Sequence, residues 1–363
     1  MRLLLVAFLL SGCAAGRASL AQDLALATQA LATCACEATG LASGRDVAGE
    51  PPRLWLAGDK AVYEVGADGA LTERWTPPKF TRILRLEVGD LDGDGVDEWT
   101  VLTEANRLRT HLIVADGGER RSVGKPFLGS LRITPGPEGK PVLLGQRASG
   151  AGPFVGPVEH VTWAGEELAL GGPVGLHATA SLYDVFWVAN EGKPRLFSFE
   201  STDHVAERDP RSPRAVVWRS DERLVARPIE IERDTRDLLG EEVRDTVRFA
   251  APVSVADLDG DGADEVLLVA GSLTPVAMLQ NLRVYQGGDA RLFEAGPRGL
   301  VESHRSPILG RALIAATPWT APDGRAVWAA VAWTKLGGGF VAPESRVFLL
   351  DPATGDLLGA AAP

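Results

Sequence analysis

The chain has 363 residues, of which 45% are hydrophobic and 23% are charged, so it can form one large domain or two ordinary ones and is not disordered by composition. Its 41 glycines and 24 prolines are spread along the chain, which indicates many turns. The net charge of -11 and the absence of Lys and Arg clusters interleaved with aromatic residues argue against nucleic acid as a partner.

The N-terminal segment MRLLLVAFLLSGCAAG predicts a secretory leader. A single basic residue, Arg2, precedes an apolar run that is too short to span a bilayer but has the length of a signal-peptide core. The LSGC stretch ending at Cys13 resembles the bacterial lipobox. This resemblance implies a signal peptide at 1–12, lipidation of Cys13 and anchoring to a membrane, with the outer membrane of the cell envelope favoured because no Asp follows the cysteine. The alternative is an ordinary signal peptide that is cut near Ala15, with Cys13 discarded.

Residues 13–50 predict an Ala-rich helical tether between the anchor and the body of the protein. Seven small or apolar residues recur at spacings of four and three, the period of one helical face. They are Leu20, Leu24, Ala27, Leu31, Cys34, Ala38 and Leu41. We interpret Cys34 and Cys36 as small apolar residues of this helix, since two cysteines are too few for a disulfide framework. The alternatives are a local disulfide and a soft-metal site completed by another chain.

The body, residues 53–363, is expected to be all-β. Short runs rich in Val, Leu, Phe, Trp and Thr alternate with Gly, Pro and Asp turns, and no amphipathic helical period is present. The charged stretch at 228–250 interrupts the pattern and predicts an inserted hairpin. Five tryptophans within the strand-like runs are expected to pack between sheets. They are Trp55, Trp99, Trp187, Trp328 and Trp333.

Two acidic nonapeptides, DLDGDGVDE at 90–98 and DLDGDGADE at 257–265, each lie between two apolar runs. With those runs they resemble the FG-GAP or VCBS-type repeats of integrin-α-like β-propellers. The resemblance implies a β-propeller, an arrangement that buries short strands without long open edges. The spacing of the two copies favours six blades, with seven as the alternative. The five later blades are expected near 80–124, 127–172, 180–227, 251–297 and 306–360, and the strands at 53–76 form the first.

The acidic loops predict two calcium sites. In each loop the aspartates at the first, third and fifth positions are expected to converge on one centre, with a main-chain carbonyl at the seventh position and a glutamate at the ninth. The predicted ligands of the first site are Asp90, Asp92, Asp94, the Val96 carbonyl and Glu98. Those of the second site are Asp257, Asp259, Asp261, the Ala263 carbonyl and Glu265. Hard oxygen ligands in a flexible loop suit Ca²⁺ better than Mg²⁺, zinc or copper.

An alternative is that Asp-Gly pairs simply favour tight turns. Three crowded carboxylates would repel one another without a cation, which favours the calcium interpretation. We expect the ion to hold the loop in shape instead of orienting a substrate. The eighth-position residues, Asp97 and Asp264, are expected to point outward or to accept hydrogen bonds within the turn.

Motifs of enzymes are missing from the sequence, which contains no G-x-S-x-G, H-E-x-x-H, C-x-x-C or dinucleotide fingerprint. We therefore expect a calcium-stabilised, lipid-anchored propeller of the cell envelope. It would act as a binding or assembly module for a protein or polysaccharide partner, through a propeller face or the 228–250 insertion. The alternative is an extracytoplasmic enzyme, polymer-cleaving or quinoprotein-like, with its site at the central channel, where convergent acids and aromatic residues would favour it.

Overall fold

The structure, a computed structural model, describes residues 29–358 apart from 117–118, 150–151, 177–179, 191, 237–241, 274–284, 311 and 336–342. Within these ranges the regular structure is β-strand, except for one short 3-10 helix at Leu182–Asp184. No helix in the described ranges is long and apolar enough to cross a membrane. The predicted signal peptide, residues 1–12, and the predicted lipidation site, Cys13, lie outside the described residues.

The strands form the six blades of a β-propeller, which confirms the predicted fold class and the favoured blade number. The first strand is β1 (Ala32–Cys34). Blade one contains β2 (Ala38–Gly44), β3 (Arg53–Gly58), β4 (Val62–Val65) and β5 (Leu71–Trp75); blade two contains β6 (Arg82–Gly89), β7 (Glu98–Glu104), β8 (Leu108–Asp116) and β9 (Glu119–Ser122); blade three contains β10 (Gly129–Pro135), β11 (Pro141–Ser149), β12 (Gly152–Ala164) and β13 (Glu167–Pro173).

The second half of the chain adds three more blades and a hairpin. Blade four contains β14 (Val185–Asn190), β15 (Lys193–Phe199), β16 (Val205–Asp209) and β17 (Ser212–Arg219); the hairpin contains β18 (Ile229–Arg236) and β19 (Glu242–Phe249); blade five contains β20 (Ser254–Ala256), β21 (Glu265–Leu273), β22 (Tyr285–Ala295) and β23 (Leu300–Arg305); blade six contains β24 (Ala312–Thr320), β25 (Ala326–Lys335), β26 (Glu344–Leu350) and β27 (Leu357–Leu358). In each blade the strands pair antiparallel in chain order, and the first strands of neighbouring blades contact one another around the central channel.

Blade six is completed by the N-terminal part of the chain. The strand β1 pairs with β26 from Ala32 opposite Val347 to Cys34 opposite Ser345, and β27 pairs with the later part of β26. The outer edge of the last blade therefore comes from both ends of the described chain. This pairing closes the ring, because β1 is hydrogen-bonded into blade six and the chain then continues into β2 of blade one.

The prediction of a helical tether is wrong for residues 32–44, which form β1 and β2. The propeller consequently begins about twenty residues earlier than the predicted start at 53, and β2 supplies the inner strand that blade one lacked in the sequence pattern. Small residues at spacings of three and four fit a helical face, but they also fit an inner strand that is crowded on both sides. Pairing with distant strands decides between the two, and tertiary context overrides local period here.

Cys34 and Cys36 form a disulfide, which corrects our interpretation of them as two apolar helix residues. Both are buried at the junction between β1, in blade six, and β2, in blade one. The same junction is fixed by Ser345, whose hydroxyl donates to the Cys36 carbonyl (2.8 Å) and accepts the Ala38 N–H (3.0 Å). The disulfide therefore lies where the ring closes.

The predicted tryptophans are all buried. Trp55 of blade one and Trp99 of blade two lie with their ring centroids 4.7 Å apart, and the Arg120 guanidinium lies 4.2 Å from the Trp99 ring. Arg120 also pairs with Asp46, which holds the cation over the ring. Large rings and a stacked cation of this kind bury much apolar area between blades, and this packing stabilises the ring.

The 228–250 insertion is the hairpin of β18 and β19, which we call the cap hairpin. It follows the outer strand of blade four, so it lies on the propeller face opposite the acidic loops, which follow inner strands. We call these two faces the cap face and the loop face. On the cap hairpin Ile229, Ile231 and Phe249 are buried in the main hydrophobic core. The base of the hairpin is therefore part of the packed structure.

Candidate functional site

The two acidic loops lie on the loop face, between the first and second strands of blades two and five. In the first loop the carboxylates of Asp90, Asp92 and Asp94 offer oxygens that lie within 4.8 Å of one another, and the corresponding three aspartates of the second loop do the same. Each cluster consists of hard oxygen donors only. The structure thus brings together the first, third and fifth positions of both motifs, as the sequence predicts.

Backbone hydrogen bonds shape the first loop before any ligand is considered. Asp90 accepts the N–H of Gly93 (2.7 Å) with one carboxylate oxygen and the N–H of Gly95 (3.0 Å) with the other. Both glycines have positive φ, 80° and 84°, which turns the backbone around the carboxylate. The Asp92 and Asp94 carboxylates each accept the N–H two residues further on. The loop is therefore preorganised around its acids.

The second loop repeats these contacts. Asp257 accepts the N–H groups of Gly260 (2.7 Å) and Gly262 (3.1 Å), and the two glycines have φ of 79° and 89°. Asp259 and Asp261 again each accept the N–H two residues further on. Because the same sequence pattern gives the same geometry in two blades, the arrangement is a property of the motif and not of one local environment.

The ninth-position glutamates lie at the base of the loops. Glu98 is buried and accepts the Leu91 N–H (2.8 Å), and Glu265 accepts the Leu258 N–H (2.7 Å). Burial, with a smaller contribution from the neighbouring aspartates, raises the pKa of Glu98 to about 7, and the pKa of Glu265 is raised for the same reasons. A cation in the loop would favour the ionised carboxylates. One carboxylate oxygen of each glutamate is held by the loop backbone. The contact of each glutamate with a metal remains a prediction, as do the metal contacts of the Val96 and Ala263 carbonyls.

The eighth-position aspartates link neighbouring blades. Asp97 accepts the Arg45 N–H with its carboxylate, while its own N–H donates to the Arg45 carbonyl (2.9 Å). Asp264 makes the same pair of bonds to Ala189, at 2.6 and 2.8 Å. Arg45 and Ala189 lie at the ends of the inner strands of blades one and four. The expected turn bonds and outward orientation are therefore replaced by bonds to the preceding blade, and the only sequence signal for this role was the repetition of the acid itself.

A network of charged side chains lies along the inner strands of blades two and three. Arg85 on β6 donates to Glu87 (2.8 Å) and to the Ala250 carbonyl at the end of the cap hairpin (2.6 Å). Arg132 on β10 lies 3.5 Å from the same Glu87 and donates to carbonyls at the start of blade four. Both guanidiniums are buried, and that of Arg85 lies 4.4 Å from the Tyr183 ring centroid. The network ties blades two, three and four to the cap hairpin.

Aromatic rings pack against one another at the cap-face end of the channel. Phe249 of the cap hairpin contacts Phe154 and Tyr183 edge to face, with centroid distances of 5.8 and 5.9 Å. At the loop-face end a cavity of about 300 Å³ is lined mainly by apolar residues and prolines, with Glu87 and Arg132 among its polar groups. The aromatic residues at the cap-face end thus pack against one another, while the loop-face end is mostly apolar.

A larger cavity, of about 710 Å³, lies on the cap face between blade four and the cap hairpin. We call it the arginine cavity. Its charged lining residues are Asp184, Glu200, Arg208, Arg219, Arg227 and Arg248. Sequence analysis missed it because the six residues lie in several separate segments, and no spacing along the chain connects them. The one available signal was the arginine content of this part of the chain, which local acids obscure.

No protein-family model matches the sequence, and no curated protein matches it either. Among solved structures the chain is similar to the putative oxidoreductase (glucose dehydrogenase) of Thermus thermophilus, at 16% identity over 88% of this chain and 98% of that chain, with a TM-score of 0.45. It is also similar to AofleA of Arthrobotrys oligospora, at 11% identity over 92% of this chain and 87% of that chain, with a TM-score of 0.45. A third match is the Dos1 propeller, at 11% identity over 88% and 70% of the two chains, with a TM-score of 0.36. At these identities and TM-scores the matches carry no argument about function.

Proposed function

We propose that this protein is a binding module of the cell envelope, held to a membrane by lipid at Cys13 and stabilised by calcium in its two acidic loops. The observation that carries the proposal is the packing of the cap hairpin into one end of the channel. Ile229, Ile231 and Phe249 are buried there, and the Ala250 carbonyl accepts a bond from Arg85 inside the channel. The ring is thereby a solid scaffold that offers its faces to a partner.

The calcium part of the proposal rests on the donor sets. Three aspartate carboxylates per loop converge within 4.8 Å, and their backbone bonds hold them in that arrangement. Oxygen donors of this kind fit Ca²⁺, which accepts six to eight oxygens in flexible geometry. The ion would neutralise the crowded carboxylates and add folding free energy at the loop face. Each loop also carries an aspartate bonded to the preceding blade, so stabilising the loop would stabilise the blade interface.

The enzymatic alternative places a site at the central channel. Three charged groups lie there: Arg85 donates to Glu87 and to a backbone carbonyl, and Arg132 forms an ion pair with Glu87 and donates to backbone carbonyls, while one polar atom of each group has no hydrogen-bond partner. These bonds give the groups a role in joining blades, and such a role favours the scaffold interpretation. A polymer or a small molecule would meet the protein at its faces.

The experiment that tests the binding function is capture from envelope extracts of the producing bacterium by the immobilised full-length chain. One portion of extract is treated with protease and a second with periodate, which destroys glycans. Retention of a component that is lost after one treatment identifies a protein or a polysaccharide partner. If the folded chain retains no component that the heat-unfolded chain does not also retain, the binding function is refuted. Release of shortened polymer during the incubation would support the enzyme instead.

A further inference from the structure

The arginine cavity is formed by strands and by the segments that join them. Blade four supplies residues of β15, β16 and β17 and of the turn between β15 and β16, Arg227 lies in the segment between β17 and β18, and the cap hairpin supplies Thr246 and Arg248. The strands are paired within their sheets, and the turn is closed by a bond from the Asp203 N–H to the Glu200 carbonyl (2.9 Å), so the fold sets the shape of the cavity. A preformed concave site of this size is typical of small-ligand pockets, whose volumes span roughly 300 to 1,000 Å³.

Guanidiniums are the most numerous charged groups on the cavity surface. Four guanidiniums and two carboxylates line it, in a chain whose net charge is -11. Arg227 pairs with Asp184 of the lining and with Asp203 outside it, and Arg248 pairs with Glu230 outside it. The whole cluster contains as many carboxylates as guanidiniums, but guanidiniums are more numerous on the surface that a ligand would meet.

Glu200 holds the guanidiniums in fixed positions. Its carboxylate lies 2.7 Å from Arg219 Nε and 3.3 Å from Arg208 Nη2, and its main-chain carbonyl accepts a bond from Arg227 Nη2 (3.2 Å). One carboxylate thus serves two guanidiniums and cannot neutralise both. Arg219 also donates to the Thr202 hydroxyl (2.9 Å), yet 47% of its side chain is exposed. Arg219 is therefore oriented by the protein and still accessible to a ligand.

The remaining polar lining consists of hydroxyls. They belong to Ser181, Ser198, Ser201, Thr202 and Thr246. A hydroxyl can donate and accept, which suits a ligand that is itself rich in hydroxyls. Planar guanidiniums bind carboxylate and phosphate groups in bidentate fashion. A sugar ring that carries carboxylate or phosphate groups offers partners both to the hydroxyls and to the guanidiniums of the lining.

We propose that the arginine cavity binds an anionic saccharide, one that carries carboxylate or phosphate groups, with Arg219 and Arg248 as its principal anion contacts. The proposal rests on the proposed binding function and names its ligand class and site. The source of the negative charge, uronic acid or sugar phosphate, is resolved by the choice of probes.

The test is calorimetric titration of the full-length protein with trigalacturonate, with its methyl ester and with galactose 1-phosphate. The ester keeps the rings and removes the charges. We expect trigalacturonate or the phosphate to bind at least tenfold more tightly than the ester, and salt to weaken that binding. Tighter binding of trigalacturonate identifies a uronate site, and tighter binding of galactose 1-phosphate identifies a phosphate site. Equal affinity for acid and ester, or binding of none of the probes, would overturn the proposal.

Variants tie the binding to the cavity. Arg219→Ala and Arg248→Ala should each weaken binding about tenfold, whereas Arg325→Ala, which removes an exposed arginine from the β24–β25 turn, should leave affinity unchanged. Melting curves check that the variants are folded, and Arg219→Lys provides a second, milder change at the same position. Unaltered affinity in folded Arg219→Ala and Arg248→Ala proteins would place the ligand elsewhere. If these variants still retain the envelope partner in the capture experiment, the binding function stands and this site is wrong.

Discussion

Asp90 and Asp257 each use both carboxylate oxygens on the backbone of their own loop. In the first loop the carboxylate oxygens of Asp92 and Asp94 lie close to those of the first aspartate. In the second loop Asp259 and Asp261 are placed in the same way. Crowding three negative charges raises the energy of the folded state unless a cation compensates it. The first aspartate is thus a shaping residue, and the third- and fifth-position aspartates are the ones whose removal tests cation binding most directly.

Adding calcium after chelation is expected to raise the melting temperature, and Asp92→Ala with Asp259→Ala should abolish the rise. At a calcium concentration about a hundredfold above Kd, one site contributes about 2.7 kcal/mol, which corresponds to roughly 4 °C for a protein of this length. Differential scanning calorimetry measures the shift. The matched control is Asp116→Ala with Asp323→Ala, two exposed aspartates outside the loops, which should keep the full rise. A melting temperature of the wild-type protein that does not change when calcium is added would contradict the prediction.

At the scale of elements, the cap hairpin shows that a segment rich in charged residues can still contribute side chains to the hydrophobic core. In the stretch from 228 to 250 charged residues outnumber apolar ones, yet β18 and β19 are in register from Ile229 opposite Phe249 to Arg236 opposite Glu242. The apolar end of the hairpin enters the core. Arg82 and Arg85 of blade two donate to its carbonyls at Glu230 and Ala250. The element therefore stabilises the ring from its centre.

Phe249→Ala is expected to destabilise the protein by about 3 kcal/mol, because it removes a ring that is only 3% exposed and leaves a cavity between Phe154 and Tyr183. Urea unfolding monitored by tryptophan fluorescence measures the loss. The control is Phe80→Ala, the same substitution at a residue that is 98% exposed, where we expect a change within about 0.5 kcal/mol. Equal midpoints for the two variants would show that the cap hairpin adds no stability.

At the scale of the whole molecule, the two faces of the propeller differ. The loop face carries both acidic loops and the mostly apolar channel mouth, while the cap face carries the hairpin and the arginine cavity. Closure through β1 places the start of the described chain in the outer edge of blade six.

Cys13→Ser is expected to release the protein from membranes and to block its labelling by fatty acids, because acyl chains cannot be attached to serine at this site. Fractionation of cells and metabolic labelling measure the two effects. Ala15→Ser, the same replacement residue two positions downstream, should leave both unchanged. An unaltered membrane fraction and unaltered labelling for Cys13→Ser would contradict the lipidation prediction.

The sequence by itself determined the elements that depend on local pattern. The propeller was implied by the resemblance of the repeated nonapeptide and its flanking runs to a known family. Alternating apolar runs between Gly, Pro and Asp turns specified the strands, and the nonapeptide specified the convergence of Asp90, Asp92 and Asp94. These features follow from side-chain alternation and from glycines at positive φ, which act over a few residues.

Only the tertiary structure decided which long-range contacts form. It made β1 the closing strand, bonded Asp97 to Arg45 and gathered Asp184, Glu200 and Arg227 in one cavity. The physical reason is that pairing and ion-pair partners in a closed ring are set by blade order and register, which bring together residues that lie far apart in the chain. Local periodicity does not reveal those partners. The sequence therefore predicted the strands and the acidic loops, whereas the arginine cavity could be found only in the tertiary structure.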